Sequence, residues 1–122
     1  MNSICFIVNP KKTKLNRFRR EATSRFSPTF QVEILVTDGH RSAEQLALQA
    51  TNQGFGYLIA VGGDGTVHEV INGVMRAPVE QRSKVVVGLL PWGTGNDFAR
   101  TLGAPSSIAQ LKKQMAQQRV GL

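Results

Sequence analysis

Four short apolar runs, SICFIV at 3–8, FQVEILV at 30–36, YLIAV at 57–61 and VVVGLL at 85–90, recur along the chain with a segment of helical period between each pair. Strands that are apolar along most of their length, rather than on alternate residues, need cover on both faces. A parallel sheet between two layers of helices provides that cover. Parallel neighbours cannot be joined by a tight hairpin, so the intervening segments must cross over the sheet, and helices make that crossing. Apolar side chains repeat at Leu15, Phe18, Ala22 and Phe26 over 14–26, and at Ala43, Leu46, Ala47 and Ala50 after a capping-box pair, Ser42 and Gln45. The second of these helices stops near Gly54. Val67, Val70, Ile71 and Val74 form the cleanest stripe of all, and Ile108, Leu111 and Met115 mark a last helix over about 106–118. The order βαβαβαβα predicts an α/β fold: a doubly wound, mainly parallel sheet with helices on both faces, Rossmann-like and three-layered.

A length of 122 residues suits one domain, without internal repeat or low-complexity tract. No apolar run approaches a membrane span, and SICFIV after Met1 is too short and lacks the basic flank of a signal peptide, so the chain is expected in the cytoplasm. Cys5 is the only cysteine, which rules out an internal disulfide, and its apolar strand context predicts a buried thiol rather than a nucleophile. The net charge of +7 is weighted toward Lys11, Lys12, Lys14, Arg17, Arg19 and Arg20. That cluster suits anionic lipid headgroups or nucleotide phosphates, and equally the solvated face of a first helix. Nucleic acid is disfavoured, because no recognised motif is present and the aromatics are not interleaved with the charges.

In doubly wound sheets ligands sit outside the carboxyl ends of the strands, near the point where strand order reverses. Four loops are thereby expected on one edge: 9–13, 37–39, 62–66 and 91–97. In the third, VGGDGTVHEVING, Gly62, Gly63 and Gly65 leave room for a phosphate to approach the backbone. Thr66 and Glu69 form a T-x-x-E pair that predicts a helix start at Thr66, with its dipole favouring an anion. Asp64 would repel a polyphosphate unless a divalent cation or water stood between them, so its presence points to a phosphate that arrives with magnesium or is being transferred. The plainer alternative is a glycine turn in which Asp64 assists the cap. The fourth loop, LLPWGTGNDFAR, repeats the design, with Thr94 and Asn96 able either to bind phosphate or ribose oxygens or to cap the next turn.

Several familiar sites are excluded by their spacing. There is no G-x-x-x-x-G-K-[ST], and G-x-G-x-x-G fails twice, at His68 and at Phe98. His40 and His68 are too isolated for a metal site, His68 reads as an ordinary helical residue, and Trp92 reads as a packing or rim residue.

Taken together, GGDGTVHEVING and PWGTGNDFAR resemble the diacylglycerol kinase catalytic domain, whose family includes bacterial lipid kinases and sphingosine kinases. The likeness spans nearly the whole chain, with NP after the first strand, a threonine after the second, GGDGT after the third and PxGTGNDFAR after the fourth. GGDGT alone is shared with NAD kinases; the second motif narrows the choice. The resemblance implies an ATP-binding half-enzyme that transfers the γ-phosphate, with Mg2+, to a lipid hydroxyl such as that of diacylglycerol. It implies ATP contacts from Asn9, Pro10, Lys11, Lys12 and Thr13, from Thr37, from Gly62, Gly63, Asp64, Gly65, Thr66, Val67, His68 and Glu69, and from Gly93, Thr94, Gly95, Asn96 and Asp97. Asp64 is implied as the catalytic acid near the transferred phosphate, with an indirect link to the metal. The family's larger β-rich domain, which holds the acceptor, is expected to lie beyond these 122 residues, leaving this chain alone inactive. Membrane contact would be peripheral, at the inner face. Two alternatives stand beside this one: a nucleotide-binding or interaction module without catalysis, and an NAD kinase-like enzyme, which leaves PWGTGNDFAR unexplained.

Overall fold

A computed structural model describes residues 3–10, 15–27, 29–38 and 42–91, together with Leu111 and Met115. Four strands, β1 (Ser3–Val8), β2 (Gln31–Val36), β3 (Tyr57–Gly62) and β4 (Val86–Pro91), form one sheet of order β2-β1-β3-β4. All three pairings are parallel. The helices are α1 (Leu15–Phe26), α2 (Ala43–Gln53), α3 (Asp64–Arg76) and a short α4 (Val79–Arg82) that the apolar pattern did not announce. Four residues with no buried side chain give no periodic stripe to read.

The central strand β1 shows why the layers form. Its residues alternate between faces although nearly all are apolar, so Ile4, Phe6 and Val8 enter one core and Cys5 and Ile7 the other. The first core is closed by Phe18, Ala22 and Phe26 of α1 and by Leu111 and Met115, both helical. Phe6 meets Phe18 and Phe26 edge-on at centroid separations of 5.4 and 5.5 Å, a favoured aromatic geometry. The second core is closed by Ala43, Leu46, Ala47 and Ala50 of α2 and by Val67, Val70 and Val74 of α3. Ile71 departs from its expected place in that stripe: it is 42% exposed on the flank of α3. The stripe is narrower because α3 presents its neighbouring face to α2 rather than to the sheet.

That helix pair is unusually close. A Cβ on Gly73 would overlap the backbone carbonyl of Glu44 and stand 2.7 Å from the Ala47 Cβ, so only glycine permits the approach. An ion pair between Arg76 Nη1 and Glu44 Oε2, 3.0 Å, borders the same crossing.

Helix ends follow local chemistry. Ser42 and Gln45 make the full capping box at the start of α2, and Gly54 ends it in the left-handed region at φ 88°. The expected start of α3 at Thr66 is corrected: the helix begins two residues earlier, at Asp64, with Gly63 in extended conformation as N-cap and no side-chain cap bond. Thr66 is buried and packs over Gly62, so its hydroxyl is not placed to cap.

The strand order reverses between β1 and β3, since the chain moves outward from β1 to β2 and then returns past β1 to β3 and β4. The carboxyl ends of β1, β2 and β3 therefore converge where the doubly wound rule puts a ligand.

Candidate functional site

A cleft of about 310 Å³ opens at this convergence, lined by Asn9 and Pro10 after β1, Thr37 and Asp38 after β2, Ser42 and Ala43 at the start of α2, and Thr66 and Glu69 in α3. The Asn9 amide donates to the Val61 carbonyl at 3.3 Å and the Thr37 amide to the Val8 carbonyl at 2.9 Å, extending the ladders past the last strand residues. Asn9 and Thr37 are thus held in register with β3 and β1 before their side chains reach the cleft.

Gly62 forms the bend from β3 into α3. It adopts φ +149°, and a Cβ there would stand 2.9 Å from Thr66 Oγ1. This glycine keeps the turn tight against the first turn of the helix. Gly65 differs: it lies within α3, and a Cβ on it would meet nothing within 4 Å. The three glycines of the motif are therefore not equivalent parts of a loop.

The first intrahelical bond of α3 runs from the Val67 amide to the Gly63 carbonyl, 3.2 Å. The amides of Asp64, Gly65 and Thr66 precede it and have no helical acceptor, and no side chain among the described residues caps the helix. An uncapped helix start attracts anions through its free amides and its dipole. Asp64 sits there as the first helical residue, and its Oδ1 is buried with no hydrogen-bond partner among the described residues. A buried carboxylate oxygen without a donor is costly unless something else satisfies it.

The structure brings Asn9, Pro10, Thr37, Thr66 and Glu69 together, with Gly62, Gly63 and Asp64 at the adjoining turn. Val67 is turned into the core, and His68 is exposed on α3. Lys11, Lys12, Thr13, Gly93, Thr94, Gly95, Asn96 and Asp97 lie outside the described residues. Pro91, where the fourth loop starts, is paired with Gly62 across β3 and β4, so that loop leaves from the same edge. The glycine motifs did not draw attention to Asp38, Ser42 and Ala43 as lining residues. Their position just past β2 and at a helix start was the available signal.

Cys5 plays no part in the site. It is fully buried in β1, and burial, with a smaller contribution from the Glu33 charge on β2, pushes its thiol up to about 12. Arg17, Arg19 and Arg20 are exposed on α1, with Arg17 Nε paired to Glu21 at 3.2 Å.

Residues 3–121 match the diacylglycerol kinase catalytic domain. This chain belongs to that family. Among curated relatives of the diacylglycerol kinase family, a diacylglycerol kinase of Staphylococcus aureus (strain MRSA252) is 33% identical over 106 residues, covering 84% of this chain and 32% of the relative. A YegS-like lipid kinase of Chromohalobacter salexigens is 38% identical over 100 residues, covering 81% of this chain and 31% of the relative. The crystal structure of a diacylglycerol kinase from Bacillus anthracis superposes with a TM-score of 0.75 at 31% identity, over 96% of this chain and 42% of that one. The chain spans about a third of the length of these curated relatives. No described helix is long and apolar enough to cross a membrane.

Proposed function

We propose that the cleft binds ATP and that the domain serves phosphoryl transfer from ATP to a lipid hydroxyl such as that of diacylglycerol. The observation that carries this reading is the start of α3, where backbone amides and a buried carboxylate oxygen of Asp64, without partners among the described residues, stand side by side at the Gly62 turn. Amides alone suit an anion, and a carboxylate alone suits a cation. The two together suit a phosphate accompanied by a metal. Membership of the diacylglycerol kinase catalytic domain family supports the same chemistry.

The residues fit magnesium in the manner usual for nucleotide sites. No group of three or more His, Cys, Asp or Glu side chains able to hold a metal is found among the described residues. Mg2+ does not need one, since it retains waters and is commonly held by one or two carboxylates and the substrate's phosphates. Asp64 Oδ1 would be the protein ligand, directly or through water. When bound, the ion would supply charge neutralisation for the phosphates.

The chain's own residues supply positioning. The amides at the α3 start orient the phosphate chain, Gly62 keeps the turn into that helix tight, and Asn9 and Thr37 line the path across β1. The basic face of α1, with Arg17, Arg19 and Arg20, suits peripheral contact with anionic headgroups at the inner face of the membrane.

The test is transfer of labelled γ-phosphate from ATP, with Mg2+, to diacylglycerol in mixed micelles by a chain of the relatives' length, beside an amide NMR titration of these 122 residues. Label in the organic phase and shifts confined to residues near 62–69 support the proposal. Shifts without transfer to any acceptor would favour a binding module, label in aqueous NAD would favour an NAD kinase, and neither shifts nor transfer would overturn the assignment.

A further inference from the structure

Building on the reading of this cleft as an ATP site, we propose that Asp38 binds the ribose hydroxyls of the nucleotide. It thereby fixes the direction in which the nucleotide lies and makes the site select ribonucleotides over deoxyribonucleotides.

Two helices begin at the cleft, and their starts differ. At α2 the Gln45 amide donates to Ser42 Oγ and the Ser42 amide to Gln45 Oε1, each at 3.2 Å, so a capping box already occupies that helix's start and leaves it fewer open donors than α3. At α3 no side chain among the described residues caps the helix. Phosphates therefore belong at α3, and the nucleoside extends toward β2.

The sheet order places β1 between β2 and β3. With neighbouring strands about 4.8 Å apart, the end of β2 lies roughly 9.6 Å from the end of β3. A ribose joined to a short phosphate chain spans such a distance. At the far end the cleft presents Thr37, Asp38 and Ser42. Asp38 is exposed and, as a carboxylate, only accepts hydrogen bonds. It would repel a phosphate but is matched to a pair of adjacent hydroxyls, which donate. Glu69, the other carboxylate of the cleft, stands on α3, at the phosphate end.

Dinucleotide-binding folds use an acid at the end of the second strand in this way, with the pyrophosphate on a helix start. The glycine fingerprint of those folds is absent here, and the phosphate helix follows β3 rather than the strand beside the acid. The acid nevertheless occupies the corresponding place in the sheet.

The experiment is calorimetric titration of the 122-residue chain and its Asp38→Ala variant with ATP, 2′-deoxy-ATP and inorganic tripolyphosphate, each with Mg2+. We expect the unmodified chain to prefer ATP over 2′-deoxy-ATP by about tenfold, as for a hydrogen bond to a charged group, and the variant to lose that preference. Tripolyphosphate should bind the variant as well as or better than the unmodified chain, because a negative charge has been withdrawn. A variant that still discriminates, an unmodified chain that binds ATP without discriminating, or a parallel loss of tripolyphosphate affinity would each overturn the inference while leaving ATP binding intact. Failure of the unmodified chain to bind ATP would overturn the ATP reading and this inference with it.

Discussion

Asp64 carries opposed demands. Its Oδ1 is buried without a donor among the described residues, which disfavours the folded protein, while its place at an uncapped helix start suits a metal-bearing phosphate. Asp64→Asn should therefore lower phosphoryl transfer at least a hundredfold in a chain that carries the whole enzyme, with a melting temperature equal to or above that of the parent. Turnover with labelled ATP and a thermal melt on the same preparation check both halves. Gly62→Ala should act in the other direction on the fold. A φ of +149° and a contact of 2.9 Å with a stiff, β-branched Thr66 leave no easy relaxation, and a loss of about 2 kcal/mol is expected in urea unfolding, together with weaker ATP binding. The sequence showed both residues as members of one motif, but it could not show that Gly62 is a bend, Gly63 a cap and Gly65 a helical residue. That division depends on where α3 starts, and Thr66-Glu69 gave a false start because Thr66 is drawn into packing over Gly62.

At the scale of elements, the crossing of α2 and α3 sets the shape of the cleft, since each helix contributes its first turns to the lining. Gly73→Ala offers a clear contest of magnitudes. Helix propensity alone would favour alanine by up to about 1 kcal/mol. Overpacking costs about 1–3 kcal/mol, and here the obstruction is the Glu44 carbonyl, backbone that cannot rotate away. We expect net destabilisation of about 2 kcal/mol, measured by urea unfolding. Glu44→Gln, which breaks the exposed pair with Arg76 at the same crossing, should cost no more than about 0.5 kcal/mol. The alternation of apolar runs and helical stripes made the elements legible because period and burial agree in β1, α2 and β3. It failed for Ile71 because a stripe on paper does not say which flank a neighbouring helix will occupy.

For the whole molecule, the two cores on either side of the sheet are not alike. One is aromatic, around Phe6, Phe18 and Phe26; the buried residues of the other are aliphatic, with Cys5 among them. The buried thiol links stability to alkaline pH. Its folded value, raised to about 12 from an ordinary 9.0, means that the folded state holds the proton to higher pH than the unfolded state. Stability should be complete with respect to this group below pH 9 and decline as pH rises from 9 toward 12. Cys5→Ala should flatten that decline in urea unfolding followed against pH. The sheet order, by contrast, was not legible residue by residue. The general rule for doubly wound folds placed the loops on one edge but named no strand order, and the cleft could be located only once Asn9, Thr37 and Thr66 were seen at one end of the sheet.

The close contact at Gly73 also bears on the kinetics of ligand capture. Because the carbonyl of Glu44 sits where a methyl would be, α2 and α3 cannot slide toward one another, and their first turns keep a fixed gap before any ligand arrives. Little of the interaction energy is then spent on ordering the walls. The speed with which the cleft accepts its ligand is thereby tied to an absent side chain more than two helical turns from the α3 start.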